Sequence, residues 1–311
     1  MRLKVEEIHK EFDGKVAVDR LSLEVPEGVI FGIIGPNGAG KTTTIRMIMD
    51  ITAPDSGHIY IDGRKADQEF KNRVGYLPEE RGLYKKMTLS EVMIYMAELK
   101  SYPRNKARDK IDYWLKKVDL LEYRGKKVEE LSKGMQQKLQ FVTTVLHEPD
   151  LLILDEIFSG LDPLNMELIK DILMELKREG KTILFSTHVM EQAEKLCDHI
   201  CMISRGQKVL DGRLTDVKAR FGKNSVQIDI DGDGKFASEL PGVRNLSEFN
   251  NYIELQLEQD ADTNAILKSI ADRVQVRRFE LMEPSLYDIF IDRARIDPAD
   301  LTQAEGGGAH V

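Results

Sequence analysis

Eight residues near the amino end of the chain have the types and spacing of a phosphate-binding loop. The segment 35–42 reads GPNGAGKT and fits G-x-x-x-x-G-K-S/T at every fixed position. Its glycines let backbone N–H groups close around phosphate oxygens, and the helix that follows adds the positive end of its dipole. Lys41 would reach the β- and γ-phosphates, and Thr42 would ligate Mg²⁺. We therefore expect this loop to bind ATP or GTP.

Two adjacent acidic residues form a second group suited to the same chemistry. Asp155 and Glu156 end the apolar run 151–154, which is typical of a central strand of a parallel sheet. Ligands bind at the carboxyl ends of such strands. Asp155 would hold Mg²⁺, directly or through water, and Glu156 would polarise a water for in-line attack on the γ-phosphate. Without the phosphate loop, the same pair would equally suit a strand that ends in solvated acids.

The hydrophobic pattern predicts the elements that must position these residues. A buried strand over 29–34 leads into the loop, and a helix over 43–49 follows it. Another apolar strand, over 182–185, ends just before His188. Pro163 suits the first position of an amphipathic helix that ends near Gly180. The apolar stripe of this helix is expected to consist of Leu164, Leu168, Ile172 and Leu176.

Five further segments follow one another along the chain: Phe12, GYLPE at 75–79, LSKGMQ at 131–136, SGLD at 159–162 and STH at 186–188. With these segments in this order, the chain resembles the nucleotide-binding subunit of an ABC transporter. In the resemblance Phe12 stands at the place of an adenine-stacking aromatic, and the four others are similar to the Q-loop, the signature LSGGQ, the D-loop and the segment of the switch histidine. The resemblance covers the chain from Met1 to about Gly212. The segment 76–84 and the LSKGMQQK variant resemble the bacterial sodium-extrusion type of exporter subunit.

The resemblance implies an α/β fold, the P-loop NTPase of the ABC type, with a mixed β core and a helical subdomain inserted at about 80–145. It implies that two subunits hold two ATP molecules between them. Ser132, Gly134 and Met135 of one subunit would contact the γ-phosphate bound by the other, with Asp162 nearby. The implied ligands are ATP and Mg²⁺. The implied partners are a second nucleotide-binding subunit, of the same or another chain, and an integral membrane permease.

The resemblance also assigns roles to single residues that would otherwise be unremarkable. Neutral His188 would contact the γ-phosphate and orient the water held by Glu156, although a lone histidine is more often structural. Phe12 taken alone would be interpreted as a core residue. The contacts to nucleotide are then expected from Phe12, Gly35, Pro36, Asn37, Gly38, Ala39, Gly40, Lys41, Thr42, Thr43, Ser132, Gly134, Met135 and Asp162.

The chain departs from the family pattern at four positions. Glu79 replaces the glutamine of the Q-loop; its carboxylate could still approach Mg²⁺ beside Thr42, but it adds negative charge near the γ-phosphate. Lys133 replaces the first signature glycine, and Met135 replaces a residue that is most often glutamine. Ile157 stands where proline usually follows the catalytic glutamate, which we interpret as a backbone adjustment without chemical consequence.

Length and composition agree with a soluble ATPase subunit. The 311 residues suggest about two domains, and no apolar run reaches the roughly 18 residues that span a bilayer. A net charge of -8 argues against nucleic acid as a partner, since a basic patch is then expected. The chain is expected in the cytoplasm, bound to the inner face of the membrane through its permease. Cys197 and Cys201 with His199 fall short of a zinc tetrad, so a half-buried strand is expected there.

A separate small α+β domain is expected over 215–295, after an ATP-binding domain over 1–214. Alternating apolar residues at 226–230 and 253–257, a helical pattern at 266–270 and a strand around 274–279 suggest β-α-β-β-α-β order, hence a ferredoxin-like split. The segment 229–234, DIDGDG, imitates the start of a calcium loop, but position twelve is Leu240. The tail 296–311 is expected to be disordered.

These observations predict an ATP-hydrolysing subunit that dimerises on ATP and drives a separate membrane protein, most simply an exporter. Two rivals remain open at this stage. A soluble ABC-type ATPase with a non-transport role would usually carry two nucleotide modules or a long coiled-coil insertion. A P-loop kinase would need an acceptor site and would have no use for the segment LSKG.

Overall fold

The computed structural model describes residues 1–65, 68–80, 82–221, 225–249, 251–258, 260–282 and 284–294. The chain divides into two compact units, Met1–Gly212 and a second that begins at Arg213. The prediction of a disordered tail over 296–311 lies outside the described residues. Among the helices of the described ranges, none is both long enough and apolar enough to cross a membrane.

The first unit contains two sheets. Its strands are β1 Leu3–Phe12, β2 Lys15–Val25, β3 Ile30–Ile34, β4 Ser56–Ile61, β5 Arg64–Lys65, β6 Val74–Leu77, β7 Leu151–Asp155, β8 Thr182–Thr187, β9 His199–Ser204 and β10 Gln207–Arg213. Strands β2-β1-β4-β5 form an antiparallel sheet, and β10-β9-β3-β8-β7-β6 form the other. In the second sheet β9, β3, β8, β7 and β6 pair in parallel. Strands β3 and β8 therefore end side by side with β7, as a shared site at the carboxyl ends requires.

Seven helices surround or extend these sheets within the described part of the first unit. They are α1 Lys41–Ile48, α2 Gln68–Asn72, α3 Leu89–Leu99, α4 Arg104–Lys117, α5 Lys133–Val145, α6 Pro163–Arg178 and α7 Met190–Leu196. Helices α3, α4 and α5 lie in the chain between β6 and β7, which is where the resemblance puts the helical subdomain. A capping box starts α3, since Thr88 Oγ1 accepts from the Glu91 N–H and the Glu91 carboxylate accepts from the Thr88 N–H.

The core of the first unit packs α1 between the two sheets. It includes Leu3, Ile33, Ile45, Ile153 and Leu184, all of them buried. Strands β3, β7 and β8 are buried at every position, which explains why they are continuous apolar runs in the sequence. The predicted strands and helices around the phosphate loop and the acidic pair are confirmed.

The prediction for α6 is wrong in part. Asp162 caps the helix and Pro163 is its first residue, as expected. However, Leu164 is 81% exposed, and the buried face consists of Ile169, Ile172, Leu173 and Leu176. The error arises because the stripe rotates around the helix, so that Ile169, rather than Leu164 or Leu168, faces the sheet. The exposed Leu164 lies in the first turn of α6, two residues after the D-loop.

The second unit has the predicted strand order with one difference. Its elements are α8 Leu214–Phe221, β11 Ser225–Asp231, β12 Val243–Glu248, β13 Ile253–Leu257, α9 Thr263–Ala271, β14 Gln275–Met282 and α10 Leu286–Ala294. The sheet order β12-β13-β11-β14, with every neighbour antiparallel, is that of the split β-α-β fold. A short 3₁₀ helix, Lys235–Glu239, replaces the first expected α-helix. Asp229 and Asp231 lie within β11, so they do not begin a calcium loop.

The two cysteines are structural residues of β9 and of the turn before it. Cys197 and Cys201 are free thiols and buried, and burial raises the pKa of Cys201 to about 12. In the described ranges no three histidine, cysteine, aspartate or glutamate side chains converge on a common metal position. The strand interpretation of this segment is therefore confirmed, although β9 is almost wholly buried rather than half-buried.

Candidate functional site

The phosphate loop, residues 35–42, is shaped by glycines whose positions a side chain could not occupy. Gly40 has φ 104, and a Cβ there would lie 2.5 Å from the Ala17 carbonyl oxygen. A Cβ on Gly35 would lie 2.1 Å from the carbonyl oxygen of Ile203. Because neither contact can be relieved by a flexible side chain, both positions exclude any larger residue. The loop is thereby held against β2 and the end of β9 and opens at the start of α1.

The side chain of Lys41 lies inside this loop. It is 5% exposed, and its Nζ donates to the carbonyl oxygens of Gly35 at 2.8 Å and Pro36 at 3.1 Å. The same Nζ lies 3.2 Å from Glu156 Oε1. A buried ammonium group requires partners of this kind. Lys41 therefore connects the loop to the acidic pair at the end of β7.

Asp155 is the more deeply buried member of the acidic pair. Its Oδ1 accepts from Ser186 Oγ at 2.5 Å, whereas no donor among the described residues reaches its buried Oδ2. Burial raises the pKa of Asp155, whereas the hydrogen bond from Ser186 and the nearby hydroxyl of Thr42 oppose this rise. An uncompensated carboxylate oxygen beside a threonine hydroxyl suits a hard cation such as Mg²⁺, which prefers oxygen ligands. The donor set therefore fits the expected metal.

Glu156 faces His188 and Lys41. His188 Nδ1 lies 2.9 Å from Glu156 Oε2, and the backbone N–H of Glu156 donates to Ser186 Oγ at 3.0 Å. Burial alone would raise the pKa of Glu156, but the hydrogen bond from His188 and the positive charge of Lys41 hold the pKa below its ordinary value. Glu156 is therefore kept ionised, as a general base must be before it accepts a proton.

One cavity of about 410 Å³ brings these groups together. Its size is within the usual range of small-molecule sites. Among the residues predicted from the sequence, it is lined by Phe12, Asn37, Gly38, Gly40, Lys41, Thr42, Thr43, Glu79 and Glu156. The carbonyl oxygens of Gly35 and Pro36 accept hydrogen bonds from Lys41. Asp155 accepts a hydrogen bond from Ser186, and His188 contacts Glu156. Ala39 is a buried support of the loop.

The rim of the cavity carries an aromatic ring and a cation. Phe12 is 47% exposed, and the Nζ of Lys10 lies 5.3 Å from the centre of its ring. The core interpretation of Phe12 is therefore wrong, and its exposed face is available for stacking. Lys15 also lines the cavity, although no motif in the sequence predicts a role for it.

A second group of predicted residues lies away from this cavity. The α5 start, Ser132 to Met135, contains an exposed Ser132 whose Oγ accepts from the Met135 N–H at 3.3 Å. Asp162 caps α6 and accepts from the Asn165 N–H at 2.9 Å. A Cβ built on Gly134 would lie 3.8 Å from Asn165 Nδ2, so the two helix starts are neighbours. None of Ser132, Gly134, Met135 and Asp162 lines the cavity of its own chain.

Two supporting residues were present in the quoted motifs but received no role. Ser186 precedes the histidine of STH, and its hydroxyl joins Asp155 to the backbone of Glu156. Gln137 lies on α5, and its Nε2 donates to the carbonyl oxygens of Ile157 at 2.7 Å and Ser159 at 3.1 Å. Both side chains are polar and buried, and buried polar groups are usually hydrogen-bonded. The sequence alone does not show that these two residues are buried.

Comparison with known proteins gives consistent matches over both units. Residues 18–159 match the family described as ABC transporter, and residues 212–294 match the family described as ATP-binding protein DrrA1-3-like, C-terminal domain. An uncharacterized ABC transporter ATP-binding protein of Bacillus subtilis, YhaQ, is 44% identical over 291 residues, which is 94% of this chain and 98% of that protein.

Other relatives have more specific names. The linearmycin resistance ATP-binding protein LnrL of Bacillus subtilis is 30% identical over 93% of this chain and 97% of its own length. A Nod factor export ATP-binding protein I of Burkholderia thailandensis is 33% identical over 92% of this chain and 94% of its own. A solved structure titled "Structure of ATP binding subunit of ABC transporter" superimposes with a TM-score of 0.66 at 31% identity, covering 71% of this chain and 94% of that one.

Proposed function

The chain belongs to the ABC transporter family as an ATP-binding, ATP-hydrolysing subunit, and from this premise we propose how its residues divide the work. Each ATP is held by the phosphate loop of one copy and by the α5 start of a second copy. One observation carries this proposal: nine predicted site residues line a single cavity, whereas the α5 start and Asp162 are outside it. A site split in this way is complete only when two copies meet.

In the first half of the site, the phosphate loop would receive the β- and γ-phosphates. The Lys41 ammonium group, now held by two loop carbonyls and Glu156, would exchange these contacts for phosphate oxygens. The backbone N–H groups at the start of α1 add the positive end of the helix dipole. Phe12 would offer its ring to the adenine base, since the ring lines the cavity and is about half exposed.

Thr42, Asp155 and Glu79 would hold Mg²⁺ in this site. When bound, the ion would neutralise charge on the phosphates and so assist their transfer. The orphaned Oδ2 of Asp155 supports this assignment, and Glu79 supplies a further carboxylate at the cavity wall. Glu79 stands where the family has a neutral glutamine, so we propose that it makes metal binding in this chain more favourable but hydrolysis slower.

Glu156 is the proposed general base. Its ionised carboxylate would accept a proton from the attacking water. The water oxygen would bond with the γ-phosphorus while the bond from this phosphorus to the β,γ-bridging oxygen breaks, so that ADP leaves and phosphate is released. His188 orients this carboxylate through Nδ1 and would approach the γ-phosphate with the other edge of its ring when nucleotide binds. In neutral His188, the proton on Nδ1 makes Nε2 an acceptor, so donation to a phosphate oxygen requires the imidazolium form or the other tautomer.

The second half of the site is the α5 start. Ser132 is exposed, and Gly134 and Met135 are partly exposed in the first turn of α5, near the positive end of the helix dipole. In a pair of copies, these groups would face the γ-phosphate bound by the other copy, and Asp162 would lie at the same boundary. Lys133 brings a positive charge to this helix start, where the family has glycine, which adds attraction for phosphate.

We further propose that the chain drives a separate permease embedded in the membrane and is held at the inner face by it. Names among the relatives, Nod factor export and linearmycin resistance, favour export as the direction of transport. Export of the sodium type, suggested by segment 76–84, belongs to the same proposal. The second unit, which matches the DrrA1-3-like C-terminal family, is then an accessory domain.

The proposal is tested by separating binding, pairing and hydrolysis. Wild-type chain and Glu156→Gln are each mixed with Mg²⁺-ATP, and mass is measured by light scattering while phosphate release is followed. We expect Glu156→Gln to bind ATP, to form a stable dimer and to release almost no phosphate. Normal phosphate release by this variant would exclude Glu156 as the base. Purification of the full chain in detergent with an integral membrane protein tests the permease.

A further inference from the structure

The backbone of Glu156 has a conformation that needs support from its surroundings. Its φ is 48, in the left-handed region that residues with a Cβ seldom adopt. The residue directly follows β7, and its carboxylate contacts both Lys41 and His188. A rotation toward a more usual φ would swing this carboxylate out of the site. The contacts that fix the turn after β7 are therefore as important as those of the carboxylate.

Two buried side chains fix this turn from opposite ends. Ser186 Oγ accepts from the Glu156 N–H at 3.0 Å. On the other side, Gln137 Nε2 donates to the carbonyl oxygens of Ile157 at 2.7 Å and Ser159 at 3.1 Å. The turn also closes on itself, because the Ser159 N–H donates to the Glu156 carbonyl oxygen at 3.0 Å. Only one of these supports, Gln137, comes from outside the parallel sheet.

The location of Gln137 gives its contact a consequence. It lies on α5, five positions after the capping residue Ser132, and is 8% exposed. A helix rises about 1.5 Å per residue, so Gln137 lies roughly 7 Å from Ser132 along the axis of α5. A displacement of the α5 start is therefore transmitted to the amide of Gln137. The carbonyl oxygens bound to this amide belong to the turn that holds Glu156.

We propose that Gln137 is a positioning residue, which couples the α5 start of a chain to the catalytic carboxylate of the same chain. This inference rests on the proposed function, in which the α5 start contacts the nucleotide of the other copy. Arrival of that nucleotide would settle α5, and Gln137 would then hold the turn 156–159 in the arrangement that hydrolysis needs. The Glu156 of each copy is therefore held in its catalytic position only when the other copy has bound ATP. Hydrolysis at the two sites is coupled for this reason.

The main test removes the donors of Gln137 while keeping its length. Gln137→Met keeps an unbranched side chain of similar volume but cannot donate. We expect its kcat for ATP hydrolysis to fall about 10- to 100-fold, as for a catalytic group displaced by about 1 Å. The Kd for ATP and the ATP-driven dimerisation measured in the Glu156→Gln background should not change. A merely structural role would lower kcat and dimerisation together.

The control makes the same chemical change at a glutamine outside the nucleotide site. Gln227 lies in β11 of the second unit, and its Nε2 donates to Asp229 Oδ1 at 3.4 Å. We expect the kcat of Gln227→Met to remain within about 2-fold of wild type. A third variant, Gln137→Asn, shortens the side chain by one methylene group, so that both carbonyls cannot be reached, and should give an intermediate kcat.

The outcomes separate the inference from the function on which it rests. Wild-type kcat in Gln137→Met, or an equal fall in Gln227→Met, overturns the role of Gln137 while leaving the site intact. If instead Glu156→Gln retains turnover, the proposed function itself has failed. Should Gln137→Met not fold, Gln137→Asn decides the question, together with amide hydrogen exchange of the turn 156–159. Faster exchange in Gln137→Asn than in Gln227→Met supports the inference, and equal exchange overturns it.

Discussion

Two helix starts in this molecule suit phosphate, and they differ in how complete each one is. The phosphate loop leads into α1 and surrounds the buried Lys41 with carbonyl oxygens, a carboxylate and a cavity. The α5 start has Ser132 as its cap and Gly134 in its first turn, but Ser132 is exposed and lines no part of that cavity. The phosphate loop therefore forms a complete binding site within one chain, which we call the built site. The α5 start supplies only one wall of a site and needs a second copy to complete it.

The difference has an energetic meaning for the order of events. A buried lysine and a closed loop are preorganised, so little side-chain freedom is lost when phosphate binds there. The α5 start offers a dipole and a hydroxyl in water, where such interactions are individually weak. We therefore expect ATP to bind first to the loop of a single copy, and the α5 start to contribute only after a second copy has closed over it.

The largest effect is expected from a variant that prevents ATP hydrolysis and leaves both helix starts unchanged. Glu156→Gln removes the proton acceptor, and a general base contributes roughly 10²- to 10⁴-fold. We expect kcat to fall about 1000-fold, with the Kd for ATP within 3-fold of wild type. Phosphate release and equilibrium binding measure the two quantities. Glu191→Gln, an exposed acid on α7 that pairs with Lys195, serves as a control for loss of charge.

The next effect tests the α5 start alone. Gly134→Asp sets a carboxylate where the phosphate of the other copy should lie, and an aspartate in the first turn of a helix favours folding. The new Cβ has room, since its nearest neighbour is Asn165 Nδ2 at 3.8 Å. Like-charge repulsion should lower turnover and dimerisation about 100-fold while binding to a single copy is unchanged.

Gly134→Ala is the matched variant for this prediction, because it adds the Cβ without the charge. It should retain most of the turnover. If Gly134→Asp weakens ATP binding to the single copy as much as it weakens dimerisation, the α5 start belongs to the site of its own chain. The contrast between a built site and a single wall would then be lost.

A third variant tests the phosphate loop alone. Lys41→Met keeps the apolar stem and removes the ammonium group, so a charge-assisted hydrogen bond worth about 2 kcal/mol is lost and the Kd for ATP should rise roughly 30-fold. Titration of the single copy with a fluorescent ATP analogue measures this. Lys15→Met removes another cation that lines the same cavity. Equal losses in the two variants would mean that the cavity attracts ATP by general charge rather than by the loop.

The sequence predicts the loop far better than it predicts the support around it. The strand, loop and helix from Ile30 to Ile48 follow from local pattern, because each neighbour in the chain is a neighbour in space. The contact of Ser186 with Asp155 spans 31 positions, and that of Gln137 with Ile157 spans 20. Both depend on which strand lies beside β7 and on how α5 packs, and neither is written in a local pattern.

The same reason explains the errors. Leu164 fits a helical stripe by spacing, yet its exposure is decided by the rotation of α6 on the sheet. In the second unit an α-helix between β11 and β12 was expected from the β-α-β-β-α-β order alone. The structure has a 3₁₀ helix of five residues there, Lys235–Glu239. Residue types with a chemical motif were predictable, whereas packing geometry was not.

The smallest expected effect concerns Glu79, an exposed carboxylate on the wall of the built site. If it senses Mg²⁺, Glu79→Gln and Glu79→Ala should each raise the Mg²⁺ concentration for half-maximal turnover by about 3-fold, since exposed charges contribute less than about 1 kcal/mol. Turnover at saturating Mg²⁺ should rise in Glu79→Gln, because the excess negative charge near the γ-phosphate is gone. Glu80→Gln, one residue further and outside the cavity lining, should change neither quantity. Unchanged Mg²⁺ dependence and turnover in both Glu79 variants would refute a metal role and leave the built site with Asp155 as its proposed carboxylate ligand.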